Sequence, residues 1–432
     1  MAKQGEKTVT PRLRFPEFRG AKDWTLIELR QLAEFVTERV GATECIPYTI
    51  TSGVGLVSQQ EKLGRTIAGN SLKNYVLLQR NDFAYNKSAT KTFPQGFIAR
   101  YIGDERAAVP NSIFTCFRTN GEVINPVYLD GLFSTNLHGN WLRTRIAVGA
   151  RAHGSLNVSD EDLMDLPVPL PDGPSSLTEQ RKIADCLTSL DELIAAQGRM
   201  VEALKAHKRG LMQQLFPREG EAHPRLRFPE FRDAPEWAAG KASDIVEVLQ
   251  GYGFPERLQG NKEAEFPFYK VSDISACVDA GGTFLADAKN HIDAAVLEEL
   301  RARLLPAGTT VFAKIGEAIR SNKRAIVTRP CLVDNNAAGV KALQGLAEDR
   351  FVYYLWSQIP LIEYSGGVVP AVNKSTIEQI QVRYPDIDEQ QRIADCLSSL
   401  DTKIAAASSQ LSSLRLHKQG LMQQLFPTPM ED

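Results

Sequence analysis

Two long stretches of the chain share one heptad pattern of apolar positions. Residues 177–217 and 387–427 both contain EQ, IADCL, SLD and GLMQQLFP in the same order. Apolar residues recur in both stretches at alternating steps of three and four, which is typical of a coiled-coil seam. Both helices are predicted to end at a proline, Pro217 or Pro427, because proline lacks the amide hydrogen and clashes with the preceding turn.

Each predicted seam carries one lysine at the same point. The first seam consists of Ile183, Leu187, Leu190, Ile194, Gln197, Val201, Leu204, Lys208, Leu211 and Leu215, and the second of Ile393, Leu397, Leu400, Ile404, Ala407, Leu411, Leu414, Lys418, Leu421 and Leu425. Because the seams match in length and in the position of the lysine, we expect the helices to pair antiparallel within one chain. The alternative is two unrelated helical hairpins or a longer bundle.

A second repeat precedes each variable block. The segment PRLRFPEFRGAKDW (Pro11–Trp24) returns as PRLRFPEFRDAPEW (Pro224–Trp237), so the chain is a tandem duplication of a variable block followed by a long helix. We predict the following division: an extended segment (1–24), a first domain (25–174), a central helix (175–217), a linker repeat (218–237), a second domain (238–385), a C-terminal helix (386–427) and a tail (428–432).

Both variable blocks are predicted to mix strands and helices. In the first block, residues 25–40 suit a short helix or a helix followed by a strand, and short apolar segments broken by turns predict strands between residues 48 and 123. Helical spacing returns over residues 126–146. In the second block, FPFYKVSDI, RLLPAGTTVFAKI and KRAIVTRP are strand candidates, and RFVYYLWSQIPLIEY is a helix candidate.

Composition and length indicate a globular protein of two or three domains. The chain has 432 residues, of which 43% are hydrophobic and 24% charged, and no apolar run approaches the length of a transmembrane helix. The first residues, MAKQGEKTVT, lack the apolar core of a signal peptide. The six cysteines form no CxxC pair, so we expect a reduced, cytoplasmic protein. Cys186 and Cys396 are interpreted as small buried hydrophobic residues rather than ligands.

Familiar catalytic motifs are missing from the sequence. It contains no GxxxxGK[ST] phosphate loop and no HExxH or HxxxH pair. The nearest approach to the loop with which amino-methyltransferases hold their target is Asn125-Pro126-Val127-Tyr128, which lacks the second proline. We therefore expect a chain without a catalytic site of its own, and no cofactor or metal.

Basic and aromatic clusters occur at related places in the two blocks, although the net charge of −2 is not that of an ordinary nucleic-acid binder. Lysine and arginine can anchor phosphates, and arginine with asparagine can read base edges. The alternative for each residue is a solvated loop charge. The candidate DNA-binding residues are Tyr85, Asn86, Lys87, Lys91, Arg143, Arg145, Arg151, Lys314, Arg320, Lys323, Arg324 and Lys374.

The chain resembles the specificity subunit of type I restriction–modification systems over nearly its whole length. The resemblance rests on PVPLP followed by LTEQRKIADCLTSLDELIAAQ, on EQQRIADCLSSLD, on both GLMQQLFP ends and on both LRFPEF starts. YTITSGVGLV, DFAYNKS and FPFYKVSDI also look like parts of such proteins. The resemblance implies two α/β target-recognition domains joined by two long helices in an antiparallel coiled coil.

The same resemblance implies a function and partners. Each domain would read one half of a split double-stranded DNA site, and the helices would set the gap. The partners would be methylation subunits that bind S-adenosylmethionine and a restriction subunit with translocase and nuclease activity, while the specificity subunit itself is not catalytic.

Two functions of other classes remain. A fused methyltransferase or nuclease would need cofactor or metal motifs, which the sequence lacks. A non-catalytic coiled-coil scaffold without DNA readout would give no reason for variable blocks at equivalent positions.

Overall fold

The computed structural model describes residues 8–51, 53–146, 156, 158–218, 220–286 and 288–427. The fold is mixed α/β and divides into two compact units. Unit 1 comprises Met1–Ala195 and Ser412–Asp432, and unit 2 comprises Ala196–Leu411. Each of two long helices contributes one part to each unit. Within the described ranges, no helix has the length and apolar character needed to cross a membrane.

Unit 1 contains many short strands and few helices. Its strands are β1 (Thr8–Val9), β2 (Trp24–Glu28), β3 (Ala33–Phe35), β4 (Ile46–Thr51), β5 (Gly55–Ser58), β6 (Val76–Leu78), β7 (Phe83–Asn86), β8 (Phe97–Arg100), β9 (Ala107–Val109), β10 (Phe114–Thr119) and β11 (Pro167–Leu170). Its helices are α1 (Leu29–Leu32), α2 (Gln59–Leu63), α3 (Pro126–Ser134), α4 (Leu137–Leu142), α5 (Asp160–Met164), the first half of α6 (Ser176–Leu215) and the C-terminal part of α11 (Ile387–Leu425).

Three sheets form the β part of unit 1, with strand orders β1-β2-β11, β3-β10-β7-β8 and β5-β4-β9-β6. The second sheet packs against α3 through buried aromatic rings, of which Phe83 and Phe117 stack at 5.1 Å between centroids. Asn125 begins α3 by accepting hydrogen bonds from the amides of Val127 and Tyr128, and Pro126 suits the first turn because it needs no amide partner there.

Unit 2 has a similar set of elements. Its strands are β12 (Ala238–Lys241), β13 (Val246–Gln250), β14 (Phe266–Tyr269), β15 (Phe284–Leu285), β16 (Asn290–Ile292), β17 (Thr310–Ala313), β18 (Arg324–Val327), β19 (Leu332–Val333), β20 (Ala337–Ala342) and β21 (Gln381–Tyr384). Its helices are α7 (Val271–Asp279), α8 (Ala294–Glu299), α9 (Asp349–Gln358), α10 (Lys374–Glu378), most of α11 (Ile387–Leu425) and the second half of α6.

The strand orders of unit 2 correspond to those of unit 1. Its sheets are β12-β21, β13-β20-β17-β18-β15 and β16-β14-β19. The order β3-β10-β7-β8 thus has a counterpart in β13-β20-β17-β18. The parallel pair β4 and β9 has a counterpart in β14 and β19, and an antiparallel strand flanks each pair.

Two segments differ from their predicted form. Residues 25–40, predicted as a short helix or a helix followed by a strand, contain a one-turn helix, α1, followed by β3, but the strand β2 precedes that helix. In FPFYKVSDI the strand ends at Tyr269 and α7 begins at Val271. Asp273 causes that change, since its carboxylate accepts the amide of Lys270 at 2.8 Å and so starts a helix.

Every residue of the two predicted seams is buried or half-buried. Within unit 1, Lys418 of α11 donates to both carboxylate oxygens of Asp191 in α6, at 2.6 and 2.7 Å. Within unit 2, Lys208 of α6 donates to Asp401 of α11 at 2.5 Å. In that unit the side-chain amide of Gln197 also donates to the Ala407 carbonyl at 3.0 Å. Both seam lysines therefore pair with the aspartate of an SLD sequence.

Candidate nucleic-acid interface

The first repeated segment of the chain is fastened to the start of α6 by one buried carboxylate. Arg14 donates two hydrogen bonds to Glu179, both at 2.7 Å, and the Trp24 indole donates to the same carboxylate at 3.3 Å. Arg14 also donates to the carbonyls of Ala21 and Lys22, so its guanidinium closes the segment into a loop. The planar guanidinium of an arginine can donate two parallel hydrogen bonds to one carboxylate, which the ammonium group of a lysine cannot do.

Unit 2 repeats this arrangement around Glu389. Arg227 donates to Glu389 at 2.8 and 2.6 Å, and the Trp237 indole donates to it at 3.4 Å. Arg227 also reaches the carbonyls of Ala234 and Pro235. The repeated LRFPEF and EQ sequences thus have a structural role in fastening each unit to the start of a long helix.

The neighbouring glutamine of each EQ pair connects the helix to the variable block. Gln180 accepts the amide of Asn125 at 2.8 Å, immediately before α3. Gln390 accepts the amide of Glu348 at 3.1 Å, immediately before α9. Both glutamines are buried, so these bonds hold the equivalent helices α3 and α9 in fixed positions within their units.

The end of each long helix is held by the repeated segment of the other half of the chain. In unit 1 the Leu13 amide donates to the Gln424 carbonyl of α11 at 2.9 Å, and Phe426 packs on Tyr128. In unit 2 the Leu226 amide donates to the Gln214 carbonyl of α6 at 2.9 Å. Phe216 there packs on Trp237 and Phe351. The GLMQQLFP ends are therefore also structural.

Two of the candidate DNA-binding lysines, Lys87 and Lys314, occupy equivalent places. Lys87 follows β7 and Lys314 follows β17, which are the strands at corresponding positions of the two larger sheets. The Lys87 carbonyl accepts the Leu156 amide at 2.7 Å, and the Lys314 carbonyl accepts the Val372 amide at 2.9 Å. In both cases the donating residue directly precedes an asparagine in the sequence. The sheets thus present a lysine at the same edge of each unit.

The side chains of these two lysines have different partners. Lys87 pairs with Asp160 at 2.7 Å, and the Thr115 hydroxyl donates to the same carboxylate at 2.5 Å. Burial alone would raise the pKa of Asp160, but the hydrogen bonds from Lys87 and Thr115 hold it below its ordinary value. Lys314 instead donates to the Gln250 side chain, and burial lowers its pKa. No pattern in the sequence indicated Asp160 and Gln250, because these contacts join residues 73 and 64 positions apart in the chain.

The other candidates in unit 1 are divided between surface and core. Lys91, Arg143 and Arg145 are exposed, and the Arg145 guanidinium lies 3.2 Å from the centroid of the Trp141 ring. Asn86 is half-buried, and its side chain accepts the amide of Ser88. Tyr85 is fully buried, and its hydroxyl donates to the Gln95 carbonyl. Arg151 lies outside the described residues.

In unit 2, Lys374 and Arg320 are exposed, whereas Arg324 is only 3% exposed. The Arg324 guanidinium lies over Phe312 and donates to the side chain of Asn322, and burial lowers its pKa to about 9. Lys323 donates to Asp279 at 2.7 Å, and Arg320 to Glu317 at 2.8 Å. Tyr85 and Arg324 are therefore core residues in the structure and are not presented to a ligand.

Among the described residues, no group of three or more His, Cys, Asp or Glu side chains is placed to hold a metal ion. The two units instead have corresponding strand orders. Each unit places a lysine, Lys87 or Lys314, directly after a corresponding strand of its larger sheet.

Comparison with known proteins agrees with this arrangement. The family described as type I restriction modification DNA specificity domain matches residues 235–414. A Methanocaldococcus jannaschii protein described as a type I restriction enzyme MjaX specificity subunit is 25% identical and aligns over 94% of this chain and 93% of its own. The MjaVIII specificity subunit of the same organism is 21% identical, over 82% of this chain and 81% of its own.

Solved structures share the fold. The type I restriction–modification S subunit from M. genitalium superposes with a TM-score of 0.59 at 15% identity, covering 98% of this chain and all of that one (100%). A chain from a study of assembly and conformational transition of the type I R-M system has a TM-score of 0.53 at 18% identity, with coverage of 93% and 96%. The specificity-domain match, the alignment with specificity subunits over most of the chain and the shared fold make this chain similar to type I restriction–modification specificity subunits.

Proposed function

We propose that this chain selects the DNA sequence for a type I restriction–modification complex, with one target-recognition domain in each unit. The domains are residues 25–174 and 238–385, and each reads one half of a bipartite site. One observation carries the proposal: the units share strand order and buried Arg–Glu contacts, yet the equivalent lysines Lys87 and Lys314 have different side-chain partners. A duplicated scaffold with different reading surfaces suits a site whose two halves differ.

The two long helices set the gap between the half-sites in this proposal. The support is the pair of matched seam contacts, Asp191 with Lys418 in unit 1 and Lys208 with Asp401 in unit 2. Asp191, nearer the N-terminal end of α6, pairs with Lys418, nearer the C-terminal end of α11. Lys208, nearer the C-terminal end of α6, pairs with Asp401, nearer the N-terminal end of α11. We therefore interpret α6 and α11 as an antiparallel coiled coil, and the two units as pseudo-symmetric copies.

The proposed DNA interface consists of the accessible candidates at the loops of each unit. These are Lys87, Lys91, Arg143 and Arg145 in unit 1 and Lys314, Arg320, Lys323 and Lys374 in unit 2. Their charges would neutralise phosphates, and so they would strengthen binding in a salt-dependent way without choosing a sequence. Tyr85 and Arg324 are left out because their side chains are buried.

In this proposal the chain is a non-catalytic subunit that recruits the catalytic ones. Its partners are methylation subunits, which bind S-adenosylmethionine, and a restriction subunit. The duplication supports such recruitment, since two units with corresponding strand orders would offer two partner copies equivalent places to bind.

The modular function is tested by exchanging residues 25–170 for the equivalent block of a relative. The complex with the methylation subunits should then methylate a motif in which one half has changed and the other half has not. Sequencing of methylated positions in the host genome measures this outcome. The matched control is the reciprocal exchange of residues 238–385, which should change the opposite half.

The alternative function, a scaffold without DNA readout, makes the opposite prediction. It expects both exchanges to leave the methylated motif as it was. A change in both halves after a single exchange would also contradict the assignment of one half-site to each unit.

A further inference from the structure

A hairpin turn in unit 2 carries two valines that the fold leaves uncovered. Val368 is 103% exposed and Val369 is 61% exposed, at the tip of the segment Gly366-Gly367-Val368-Val369-Pro370. Gly367 has a φ of 90°, a conformation that side chains other than glycine's rarely adopt, so the glycine allows the chain to reverse before the valines. The valines therefore project from a turn and do not pack on the core.

The turn is fastened at its base to the strand edge that bears Lys314. The Gly316 amide donates to the Pro370 carbonyl at 2.8 Å, and Ile315 forms a β-bridge with Ala371. Pro370 itself is buried. The Val372 amide donates to the Lys314 carbonyl at 2.9 Å, and the exposed Lys374 follows two residues later. These backbone bonds thus hold the C-terminal side of the turn against the chain that follows Lys314.

From this placement we infer that Val368 and Val369 are specificity-determining residues that contact the 5-methyl group of a thymine in the half-site read by unit 2. The inference rests on the proposed function. Apolar side chains discriminate thymine in the major groove because its methyl group is the one apolar feature on the base-pair edges there. That groove is about 12 Å wide and admits a two-stranded β-ribbon, so a narrow turn closed by the single bridge between Gly366 and Ala371 can enter it.

Charge and size favour DNA over a protein partner at this tip. The segment from Ser365 to Asn373 contains no acidic residue, and its base adjoins Lys314 and Lys374. A stable protein interface buries about 800 Å² on each partner, with an apolar centre surrounded by a polar rim. Two valines on a narrow turn offer far less surface than that, whereas one or two methyl contacts suffice to distinguish bases.

The test uses the full chain with its methylation subunits and DNA duplexes that carry the mapped recognition site. In successive duplexes each thymine of the half-site assigned to unit 2 is replaced by deoxyuridine, which removes the methyl group and keeps the hydrogen-bonding groups. We expect replacement at one position to weaken binding of the natural chain by about fourfold, the value of one buried methyl-sized group.

The variants Val368→Ala and Val369→Ala complete the test. At least one of them should bind the thymine duplex several-fold more weakly and should no longer distinguish it from the deoxyuridine duplex. Leu346→Ala is the matched control, because Leu346 is an apolar residue that is 54% exposed. It follows the C-terminal end of β20, whereas the N-terminal end, Ala337, pairs with Ala313 near the turn. The control should keep the natural preference.

Each other outcome overturns the inference. The inference is wrong if both valine variants keep the thymine preference, or if the half-site contains no thymine. It is also wrong if the variants no longer bind the methylation subunits but keep their DNA selectivity. A complex that shows no sequence preference on any duplex would instead overturn the proposed function itself. The two failures are therefore distinguishable.

Discussion

At the residue scale, one buried carboxylate in each unit accounts for the repeated sequences. Glu179 and Glu389 are 1% and 2% exposed, and each receives two bonds from an arginine and one from a tryptophan. A carboxylate removed from water so completely is stable only when it is paired and hydrogen-bonded. The arginine, the tryptophan and the glutamate are therefore required together, although they are far apart in sequence.

Replacement of Glu389 by Gln should destabilise unit 2 strongly. The change leaves the Arg227 guanidinium, whose side chain is 11% exposed, without its charged partner, and loss of one member of a buried pair costs about 3 kcal/mol or more. Denaturant unfolding monitored by tryptophan fluorescence measures the free energy. Glu230→Gln is the matched control in the same unit, because the Glu230–Arg392 pair is about half exposed on both sides, at 47% and 48%. The control should show no measurable change, and equal losses for both variants would contradict a special role of Glu389.

At the scale of elements, the two long helices are joined by lysine–aspartate pairs set within apolar seams. In unit 2, Asp401 accepts hydrogen bonds from Lys208 at 2.5 Å and from the Tyr354 hydroxyl of α9 at 2.6 Å. The side chains of Lys208 and Asp401 are 16% and 19% exposed, so solvent screens their charges only in part. A polar residue at a seam position specifies register at some cost in stability.

A charge exchange should reveal that role. Lys208→Asp places two carboxylates together and should lower the free energy of unfolding by about 1–3 kcal/mol, between the values of exposed and buried pairs. The double variant Lys208→Asp with Asp401→Lys should recover a large part of the loss, measured by thermal unfolding followed through helicity. Lys205→Asp, in the exposed Lys205–Glu202 pair of α6, is the control and should have little effect. Absence of any recovery would show that the pair does not set the alignment of the helices.

At the scale of the whole molecule, the proposed function assigns the spacing between the half-sites to the long helices and the recognition of bases to the domains. Matched insertion of one heptad after Gln197 and after Ala407 keeps each seam residue on its face and adds about 10.5 Å, at ~1.5 Å per residue. DNA rises about 3.4 Å per base pair, so the preferred gap between unchanged half-sites should grow by about three base pairs. Affinity should fall as well, because three base pairs rotate one half-site by roughly 100° about the duplex at ~10.5 base pairs per turn.

A library with random spacers, analysed for methylated sites, measures the preferred gap. The matched control inserts the heptad in α6 alone, which shifts one helix against the other and should abolish activity. If the matched insertion left the gap unchanged, the domains rather than the helices would determine the distance between half-sites.

The sequence alone predicted the long helices, the duplication and the resemblance to type I restriction–modification specificity subunits. Those features are local or repeated: a seam with steps of three and four needs no knowledge of neighbours, and a proline ends a helix wherever it stands. The strand β20, AAGVKA, had no such signal, because its small residues have a weak preference for strands. It is a strand because β13 and β17 pair with it on both sides.

Only the tertiary structure decided which candidate residues can meet a ligand. Tyr85 and Arg324 look like DNA-binding residues in the sequence, yet the packing of neighbouring strands and helices buries them. Lys87 and Lys314 stand in dissimilar sequences, and only the pairing of distant strands makes them equivalent. Val368 and Val369 read as ordinary apolar residues until the fold leaves them at the tip of a turn. The physical reason is the same in each case: burial and exposure depend on what packs against a side chain, and those contacts come from residues far away in the chain.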